Sequence, residues 1–334
     1  MVGWALATVV PLAAWLVWRR LALTSFVSWT SIALPEQALW TGISRYQRHR
    51  KLPVLTFATE SAGLGDPTTL AEIARRYEPR LTDVHIITYP KAGTSWIQEV
   101  AWLVNHNADI ATSNAVPSSQ RTTYIELRTS KMDKLSQLSV HPTESPRHIK
   151  WHHCSQLLPR RVVEEGRIIY VMRNPKDTAV SWYHFQRMNT LYGFTGDFDA
   201  FFELFLRGDV AYGCYWHNVL SWWRLRHRAN VLFLTYEEMH ADLPAVVRKV
   251  AAFLGKKLTA TQVAAIAEHC EFGQMSRNPT TNAAQMPKVA GEAGFMRKGQ
   301  VGDWRNYLSE EQSGRMDAWV AEHVGDERLP LVYQ

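Results

Sequence analysis

Lysine, glycine and hydroxyl side chains stand close together in segment 88–96, which reads Thr-Tyr-Pro-Lys-Ala-Gly-Thr-Ser-Trp. The apolar, β-branched run 83–89 predicts a buried strand, and apolar residues at helical spacing predict a helix that begins near Thr94. Backbone N–H groups at a helix N-terminus, the helix dipole and the charge of Lys91 all favour an anion. The segment therefore predicts a phosphate-binding loop. A tight strand-to-helix connection without a ligand is the simple alternative.

A second charged group follows the apolar run 166–172, in the sequence Arg-Asn-Pro-Lys-Asp-Thr-Ala-Val-Ser that ends at Ser181. Pro175 fits the first turn of a helix, and Asp177 complements the positive end of its dipole. Arg173 comes at the carboxyl end of the predicted strand, where ligands bind in open α/β sheets. The alternative is an Arg173 that pairs with an acid and a Ser181 that is an ordinary helix residue.

The third unusual segment is 295–304, Phe-Met-Arg-Lys-Gly-Gln-Val-Gly-Asp-Trp. The adjacent cations Arg297 and Lys298 precede two glycines, so this loop can wrap a dianion with side chains and backbone amides. Phe295 and Trp304 on either side indicate an aromatic wall, although a solvated basic turn is the ordinary explanation. Together with the first phosphate-binding loop, this segment predicts a nucleotide that carries phosphates at both ends.

Strand and helix patterns alternate along the chain. The predicted strands are 83–89, 147–152, 166–172 and 230–236, and after the helix near Thr94 the predicted helices are 176–188, 212–226, 244–254 and 260–269. The polar stretch 105–123 is predicted to be a loop. Apolar strands that alternate with helices indicate an α/β fold with a mostly parallel sheet and helices on both faces.

The composition narrows the class of protein. A chain of 334 residues with 46% hydrophobic residues can bury a large core. A net charge of +6 suits a small anionic ligand or a membrane surface, and no basic run or basic–aromatic array points to nucleic acid. Three scattered cysteines argue against a disulfide framework and a C-x-x-C metal site. We therefore expect no metal and no nucleic-acid partner.

The N-terminal part differs from the rest of the chain. Residues 1–18 carry no charge, an Arg-Arg pair follows, and 21–35 is uncharged again. The first stretch is at the short end of the roughly 17–25 residues that cross a bilayer, and the basic residues that follow predict a cytoplasmic-facing main domain. We predict an apolar segment at 1–50 as a candidate membrane anchor and one catalytic domain at 51–334. The alternatives are a helix packed on the protein, a transit peptide, or a protein of the plain cytosol.

The motifs at 89–96, 173–181 and 297–304 together closely resemble those of the cytosolic-type sulfotransferases, over about residues 54–307. The resemblance implies a P-loop-like α/β fold with a mostly parallel sheet. It implies transfer of a sulfuryl group from 3′-phosphoadenosine 5′-phosphosulfate to a hydroxyl or amine of a small acceptor. That nucleotide is the implied co-substrate, and no metal is implied because lysines supply the positive charge.

The resemblance also implies binding roles for individual residues. The loop around the 5′-phosphosulfate, and the stacking on adenine, would come from Lys91, Ala92, Gly93, Thr94, Ser95 and Trp96. The 3′-phosphate would be bound by Arg173, Ser181, Arg297, Lys298 and Gly299. Tyr236 would contact the adenine, with Phe272, Met275, Phe295 and Met296 completing the cofactor site.

The catalytic base of the family is the histidine of a Lys-Thr-His-Leu-Pro stretch, and here residues 150–154 read Lys-Trp-His-His-Cys. The match implies that His152 is the base, a task that suits its pKa near working pH. Lys91 would stabilise the leaving oxygen, and Lys150 the other sulfuryl oxygens. His153 is expected to face away on an extended chain. The tryptophan before His152 departs from the family pattern and leaves the presentation of the base open.

Three other functions share part of this pattern. A small-molecule kinase would share the strand–loop–helix start, but the G-x-x-x-x-G-K-[ST] spacing is absent. A Golgi-type carbohydrate sulfotransferase is favoured only by the N-terminal apolar segment. A catalytically silent nucleotide-binding or scaffold protein is the third, because the surroundings of His152 are altered.

The acceptor and the assembly depend on variable segments. The pocket is expected to involve 112–124, 183–194 and 280–291, and Phe185, Tyr192 and Phe194 favour a lipophilic alcohol or phenol. The family's homodimers often use a Lys-x-x-x-Thr-Val-x-x-x-Glu segment after the Gly-Asp-Trp loop. Here Glu310 replaces the valine and Gly314 the final acid, so we predict that this interface is lost or weak.

Overall fold

In the computed structural model the described residues are 62–64, 73, 76–129, 146–190 and 192–332. The predicted N-terminal apolar segment, and the predicted boundary at residue 50, lie outside them. Among the described helices, none combines the length and apolar character that crossing a membrane requires.

A five-stranded parallel sheet forms the centre of the described domain. Its strands are β2 (Val84–Thr88), β3 (Thr123–Tyr124), β5 (His148–Trp151), β6 (Arg167–Met172) and β7 (Val231–Thr235), in the spatial order β3-β5-β2-β6-β7. A separate antiparallel pair joins β1 (Ala62–Leu64) to β4 (Leu127–Thr129). The four predicted strands are confirmed, while the short edge strand β3 was not predicted.

Helices fill the connections between the strands. They are α1 (Thr94–Asn105), α2 (Ile110–Ala115), α3 (Ser118–Arg121), α4 (Arg160–Glu165), α5 (Pro175–Met188), α6 (Phe198–Arg207), α7 (Tyr215–Trp223), α8 (Tyr236–Ala241), α9 (Leu243–Leu254), α10 (Ala260–His269), α11 (Phe272–Arg277) and α12 (Glu310–Val324). The predicted loop at 105–123 is wrong, because α2 and α3 occupy part of it. One of the polar residues there caps a helix. The Asp109 side chain accepts from the backbone N–H of Thr112 at the start of α2.

Alternate residues of β6 show how the sheet is covered. Ile168, Tyr170 and Met172 point into a core with α5, α6, α7 and α12. Ile169 and Val171 point the other way, into a core with α1, α9 and α10. Side chains of a strand alternate between faces, so an all-apolar strand needs helices on both sides. The predicted α/β architecture is confirmed.

Three strand ends at one edge of the sheet carry the predicted site. β2 pairs in parallel with β5 on one side and with β6 on the other, with Ile87 opposite Trp151 and Thr88 opposite Val171. The carboxyl ends of these strands therefore lie side by side. After β2 the chain forms β3 and β5 on one side of β2, and then β6 on its other side. Ligand crevices form where the strand order reverses in this way.

Candidate functional site

The turn between β2 and α1 has the backbone of an anion-binding loop. Lys91 has φ 69° and Gly93 has φ 100°, both in the left-handed region. Gly93 precedes the first turn of α1, and a Cβ built there would lie 2.9 Å from the Tyr236 ring. A glycine is therefore required on both counts. The hydroxyl groups of Thr88 and Thr94 lie 2.7 Å apart and join the strand end to the helix start.

Lys91 is half-buried between aromatic rings. Its Nζ lies 4.0 Å from the centroid of Phe295 and 4.5 Å from that of Phe185. Burial lowers the pKa of Lys91 to about 7, and repulsion from Lys150 and Arg173 adds to the effect. A bound anion would stabilise the charged form of Lys91 and so offset both the desolvation and the repulsion. This lysine is therefore suited to bind negative charge.

His152 is oriented by the end of β2. Its Nδ1 lies 2.9 Å from the backbone carbonyl oxygen of Thr88. A carbonyl only accepts, so we assign the proton to Nδ1, which leaves the lone pair on Nε2. Burial, followed by the charge of Lys150, holds the pKa of His152 well below its usual value. The imidazole is thus neutral at neutral pH and can accept a proton at Nε2.

The buried carboxyl group of Glu126 fixes the turn that carries this base. Its Oε2 accepts from the backbone N–H of His152 at 2.8 Å, and its Oε1 from that of His153 at 3.2 Å. Burial raises the pKa of Glu126 to about 8. Glu126 was not predicted from the sequence, because no motif around it indicates a hydrogen bond to a residue 26 positions away.

His153 does not face away from the site as expected. The rings of His152 and His153 each lie 5.2 Å, centroid to centroid, from the ring of Tyr212. The reason is that β5 ends at Trp151, and the chain turns before the alternation of a strand can separate the two rings. The Nε2 of His153 is buried and has no hydrogen-bond partner in the described part of the chain.

Tyr212 has a left-handed backbone, with φ 70°, which is uncommon for a non-glycine residue. Tyr89 donates to the carbonyl oxygen of Gly213 at 2.9 Å and holds this corner in place. The hydroxyl group of Tyr212 also hydrogen-bonds that of Tyr124. The strained backbone thus aims one tyrosine ring at both histidines, and sequence reasoning missed its contribution to the site.

The tryptophan that departs from the family pattern is accommodated on the opposite face of the sheet. Trp151 is fully buried, and its Nε1 donates to Nδ1 of His85 at 3.0 Å. Burial lowers the pKa of His85 to about 4, so the ring is neutral and free to accept. His152 therefore keeps its place next to Thr88.

Lys150 completes the group at this end. It is half-buried on the face of β5 opposite Trp151, and its Nζ lies 4.1 Å from the ring centroid of Tyr124. Burial lowers the pKa of Lys150 to about 8, and the charge of Glu126 opposes that shift. Since Lys150 contributes to the shifts of both Lys91 and His152, the structure brings the three predicted catalytic residues into one electrostatic group.

Arg173 connects the other predicted segments. Its Nη2 donates to the carbonyl oxygen of Gln300 at 2.9 Å, and its Cζ lies 4.2 Å from the ring centroid of Tyr236. Asp177 is 4.0 Å away, so pairing with an acid is present only at the limit of an ion pair. The Nε of Arg173 is buried without a hydrogen-bond partner among the described residues, which marks a position where an anion would be accommodated.

Two aspartates hold the loop at 295–304: Asp177 binds its backbone, and Asp303 binds its two cations. Asp177 accepts from the backbone N–H groups of Gly302 at 2.7 Å and Trp304 at 3.0 Å. Arg297 and Lys298 donate to different oxygens of the Asp303 carboxylate. Neither acid was predicted to have this role.

Gly299 has a left-handed backbone, with φ 66°, and lies directly against Phe272. A Cβ built on this glycine would lie 2.1 Å from the Phe272 ring, so no larger residue fits. Trp96 and Tyr236 meet edge to face at 5.3 Å between centroids. Of the aromatic residues predicted around adenine, Trp96 and Tyr236 thus contact each other, and Phe272 contacts the loop at Gly299.

The remaining predicted binding residues are buried or half-buried around the loop and in the neighbouring core. Ala92 is fully buried, Ser95 is half-buried in the first turn of α1, and Met296 packs partly against the core of α1 and α9. Ser181 is half-buried on α5 with no side-chain hydrogen bond to another described residue. Met275 is 1% exposed and belongs to that same core. Met275 therefore contributes to core packing.

The predicted pocket aromatics divide into two groups. Phe185 is half-buried beside Lys91, as expected of a wall. Tyr192, 4% exposed, supports it at 5.7 Å between centroids. Phe194, 3% exposed, packs against Phe201 in the hydrophobic core and so has the contacts of a core residue. Within the described ranges, no group of three or more His, Cys, Asp or Glu side chains could hold a metal ion.

Comparisons with known proteins agree with this geometry. A family model described as the sulfotransferase domain matches residues 81–328. Sulfotransferase 1C2 of Homo sapiens is 37% identical over 246 residues, which cover 72% of this chain and 82% of the human protein. Retinol dehydratase, solved in complex with androsterone and the inactive cofactor PAP, superposes with a TM-score of 0.72 at 28% identity, covering 79% of this chain and 88% of that one. The mouse sulfotransferase SULT7A1 complexed with PAP has a TM-score of 0.66 at 32% identity, covering 79% and 91%.

Proposed function

The chain belongs to the sulfotransferase family, and from that premise we propose its donor, its acceptor class and its base. The donor is 3′-phosphoadenosine 5′-phosphosulfate, the acceptor is a hydroxyl group, or an amine, of a small lipophilic molecule, and His152 is the general base. One observation carries this proposal. Nδ1 of His152 hydrogen-bonds the carbonyl oxygen of Thr88, which leaves Nε2 free to accept a proton. Thr88 lies three residues before Lys91, so the base is next to the phosphate-binding loop.

The arrangement of cations supports the proposed donor. Lys91 follows β2. Arg173 follows the neighbouring strand β6 and donates to the carbonyl oxygen of Gln300, in the loop that carries Arg297 and Lys298. Positive charge thus lies at two places, as a nucleotide with phosphates at both ends requires. Two of the similar structures contain PAP, adenosine 3′,5′-bisphosphate, which is the product this donor would leave.

The mechanism follows from what each side chain can do. When bound, the donor would present a sulfuryl group on its 5′-phosphate for in-line displacement. His152 takes the proton of the acceptor hydroxyl at Nε2 while the oxygen attacks sulfur. Lys91 stabilises the charge that develops on the leaving oxygen, and Lys150 stabilises the remaining sulfuryl oxygens. Positioning and electrostatics therefore account for the catalysis, as in phosphoryl transfer.

The acceptor side is predominantly aromatic. Phe185 lines the approach to Lys91, and Tyr124 and Tyr212 contact His152. Aromatic rings bind apolar surface, while the tyrosine hydroxyl groups can orient a polar end. Retinol dehydratase was solved with androsterone. We therefore propose a lipophilic alcohol or phenol for this chain.

A panel of acceptors tests the proposal. The full-length protein is incubated with donor labelled in its sulfuryl group and with phenols, sterols, amines or sugars. Label transferred to phenols or sterols is the expected result. Transfer to sugars alone would instead favour the carbohydrate sulfotransferase. No transfer to any class, despite tight PAP binding, would favour the silent nucleotide-binding protein.

We also propose that the N-terminal segment anchors the protein to a membrane, with the catalytic domain facing the cytoplasm. Full-length protein is expressed in cells that are then fractionated, and the membrane pellet is washed at high salt. An anchored protein stays in the pellet. A protein recovered in the supernatant would contradict the anchor and favour the plain cytosol.

A further inference from the structure

The carboxylate of Asp303 binds Arg297 and Lys298, two of the three cations that the family resemblance assigns to the 3′-phosphate. Its Oδ2 accepts from Nη2 of Arg297 at 2.5 Å, and its Oδ1 accepts from Nζ of Lys298 at 2.6 Å. Asn306 donates to Oδ1 as well, at 2.8 Å. The Asp303 side chain is 2% exposed, whereas that of Lys298 is 40% exposed. The carboxylate thus lies beneath the two cations.

This pairing is separate from the anchoring of the loop. Asp177 already holds the loop backbone through Gly302 and Trp304, so the Asp303 side chain is not required for that contact. Burial acts to raise the pKa of Asp303, but hydrogen bonds from Lys298 and the neighbouring donors hold it below its usual value. Asp303 is therefore charged at neutral pH and offsets charge that a phosphate would also offset.

We propose that Asp303 is the internal counter-ion of the 3′-phosphate site and competes with the 3′-phosphate for Arg297 and Lys298. The inference rests on the proposed function. Partly buried cations without a counter-ion are costly, so pairing with Asp303 stabilises the loop after the nucleotide has left. The nucleotide then gains only the difference between its own bonds and those to Asp303. Asp303 thereby weakens nucleotide binding and speeds release of the product.

Asp303 acts on the nucleotide through Arg297 and Lys298, so it is a positioning residue that sets affinity. A purely structural role predicts a different outcome when it is replaced. Removal of a structural carboxylate would loosen the loop and weaken the binding of every nucleotide. Removal of a competing carboxylate would strengthen binding only for ligands that carry a 3′-phosphate.

The test is Asp303→Asn, which keeps the size of the side chain and removes its charge. PAP and adenosine 5′-phosphate are titrated into both proteins by calorimetry, and the release of PAP is timed by stopped flow. We expect the Kd of PAP to fall about tenfold and its release to slow by a similar factor. The Kd of adenosine 5′-phosphate, which lacks the 3′-phosphate, should stay within about twofold.

Two further variants keep the test decisive. Asp303→Glu retains the charge and should bind PAP much as the native protein does. Asp303→Ser removes the charge with a smaller side chain and takes the place of Asp303→Asn if that variant does not fold. Unchanged or weaker PAP binding in a folded, charge-removed variant would overturn the inference, and so would an equal change for both nucleotides.

Failure of the proposed function would look different from failure of this inference. Native protein that binds neither nucleotide would contradict the proposed donor, and this inference with it. Native protein that prefers PAP over adenosine 5′-phosphate, combined with an Asp303→Asn variant that binds PAP no more tightly, would contradict the inference alone.

Discussion

Positive charge is balanced differently at the two ends of the proposed nucleotide site. At the end near His152, Lys91 contacts two aromatic rings and has no carboxylate partner in the described part of the chain. Lys150 likewise lies over a ring, at 4.1 Å. At the other end, Arg297 and Lys298 share the carboxylate of Asp303. Among the described residues, Lys91 and Lys150 thus have no direct counter-ion, whereas Arg297 and Lys298 have one in Asp303.

The difference separates catalysis from binding. Lysines that are buried without a counter-ion interact most strongly with negative charge that develops in a reaction, and only interactions that grow in the transition state increase the rate. Cations that exchange one counter-ion for another contribute specificity and a moderate affinity. Changes near His152 should therefore reduce turnover, while changes near Asp303 should alter the binding of PAP.

The largest effect is expected for the base. His152→Ala should lower turnover about 10²–10⁴-fold, the usual contribution of a positioned acid–base group. PAP binding should hardly change, because no predicted phosphate contact involves this ring. The assay is acceptor sulfation at saturating donor, with PAP affinity measured in parallel.

His153→Ala is the matched control for that variant, since both rings contact Tyr212. Turnover within several-fold of the native value is expected, because the base at Nε2 of His152 remains. Loss of activity in His153→Ala with an active His152→Ala would assign the base to His153. Activity in both variants would remove the histidine base altogether.

Lys91 comes next in expected size. Lys91→Met keeps the apolar contacts with Phe185 and Phe295 and removes the charge. Turnover should fall about 10²–10³-fold, as it does when one donor to a developing charge is lost. If kcat falls no more than PAP affinity does, Lys91 is a simple binding residue and the contrast between the two ends disappears.

A smaller loss is expected at the 3′-phosphate end. Arg297→Ala and Lys298→Ala should each weaken PAP binding by about 1.5–3 kcal/mol, the range of a charge-assisted hydrogen bond. Adenosine 5′-phosphate should be almost insensitive to both substitutions. Equal losses for the two nucleotides, measured by calorimetry, would remove the 3′-phosphate from these residues.

The pH dependence of binding sharpens the same contrast. Burial places the pKa of Lys91 in the free protein at about 7, and a neighbouring anion favours the charged form and raises it. PAP binding at pH 8 should therefore take up protons, and affinity should decline as the pH rises above about 7. Calorimetry in buffers of different ionisation enthalpy measures the uptake. Lys91→Met should lose it; an unchanged uptake would place the titrating group elsewhere.

The smallest effect concerns assembly. Glu310 and Gly314 lie on α12 in place of the valine and the acid of the family's dimer segment. We expect a monomer in light scattering, and substitution of Tyr307 to leave the mass unchanged. A dimer that dissociates when residues 307–310 are substituted would show that the degraded segment still associates.

The sheet and the cation positions could be predicted because their signals are local. A buried strand such as β6 carries consecutive apolar residues, and ligand-binding residues follow strand ends in parallel sheets. Lys91 and Arg173 are found on that rule alone. The helices α2 and α3 were not predicted because their sequences are short and polar. The side chain of Asp109 caps α2, and the first residue of α3, Ser118, donates its backbone N–H to Thr280 in a distant segment.

The acids of the site could not be predicted, because their partners are set by tertiary contacts. Glu126 lies 26 residues before His152, and Asp177 lies 125 residues before Gly302. No periodicity or spacing reports contacts at such separations. The position of His153 was misjudged for a related reason: the strand ends one residue before His152, which no propensity defines to that accuracy.

This chain is a sulfotransferase and therefore does more than bind a nucleotide. A single turnover measures this most simply: native protein, in excess over donor labelled in its sulfuryl group, is mixed with each acceptor of the panel in turn. Sulfated acceptor and PAP should appear together, in equal amounts, and His152→Ala should bind PAP normally while forming both far more slowly. Tight PAP binding with no labelled acceptor, or release of PAP without transfer, would contradict it.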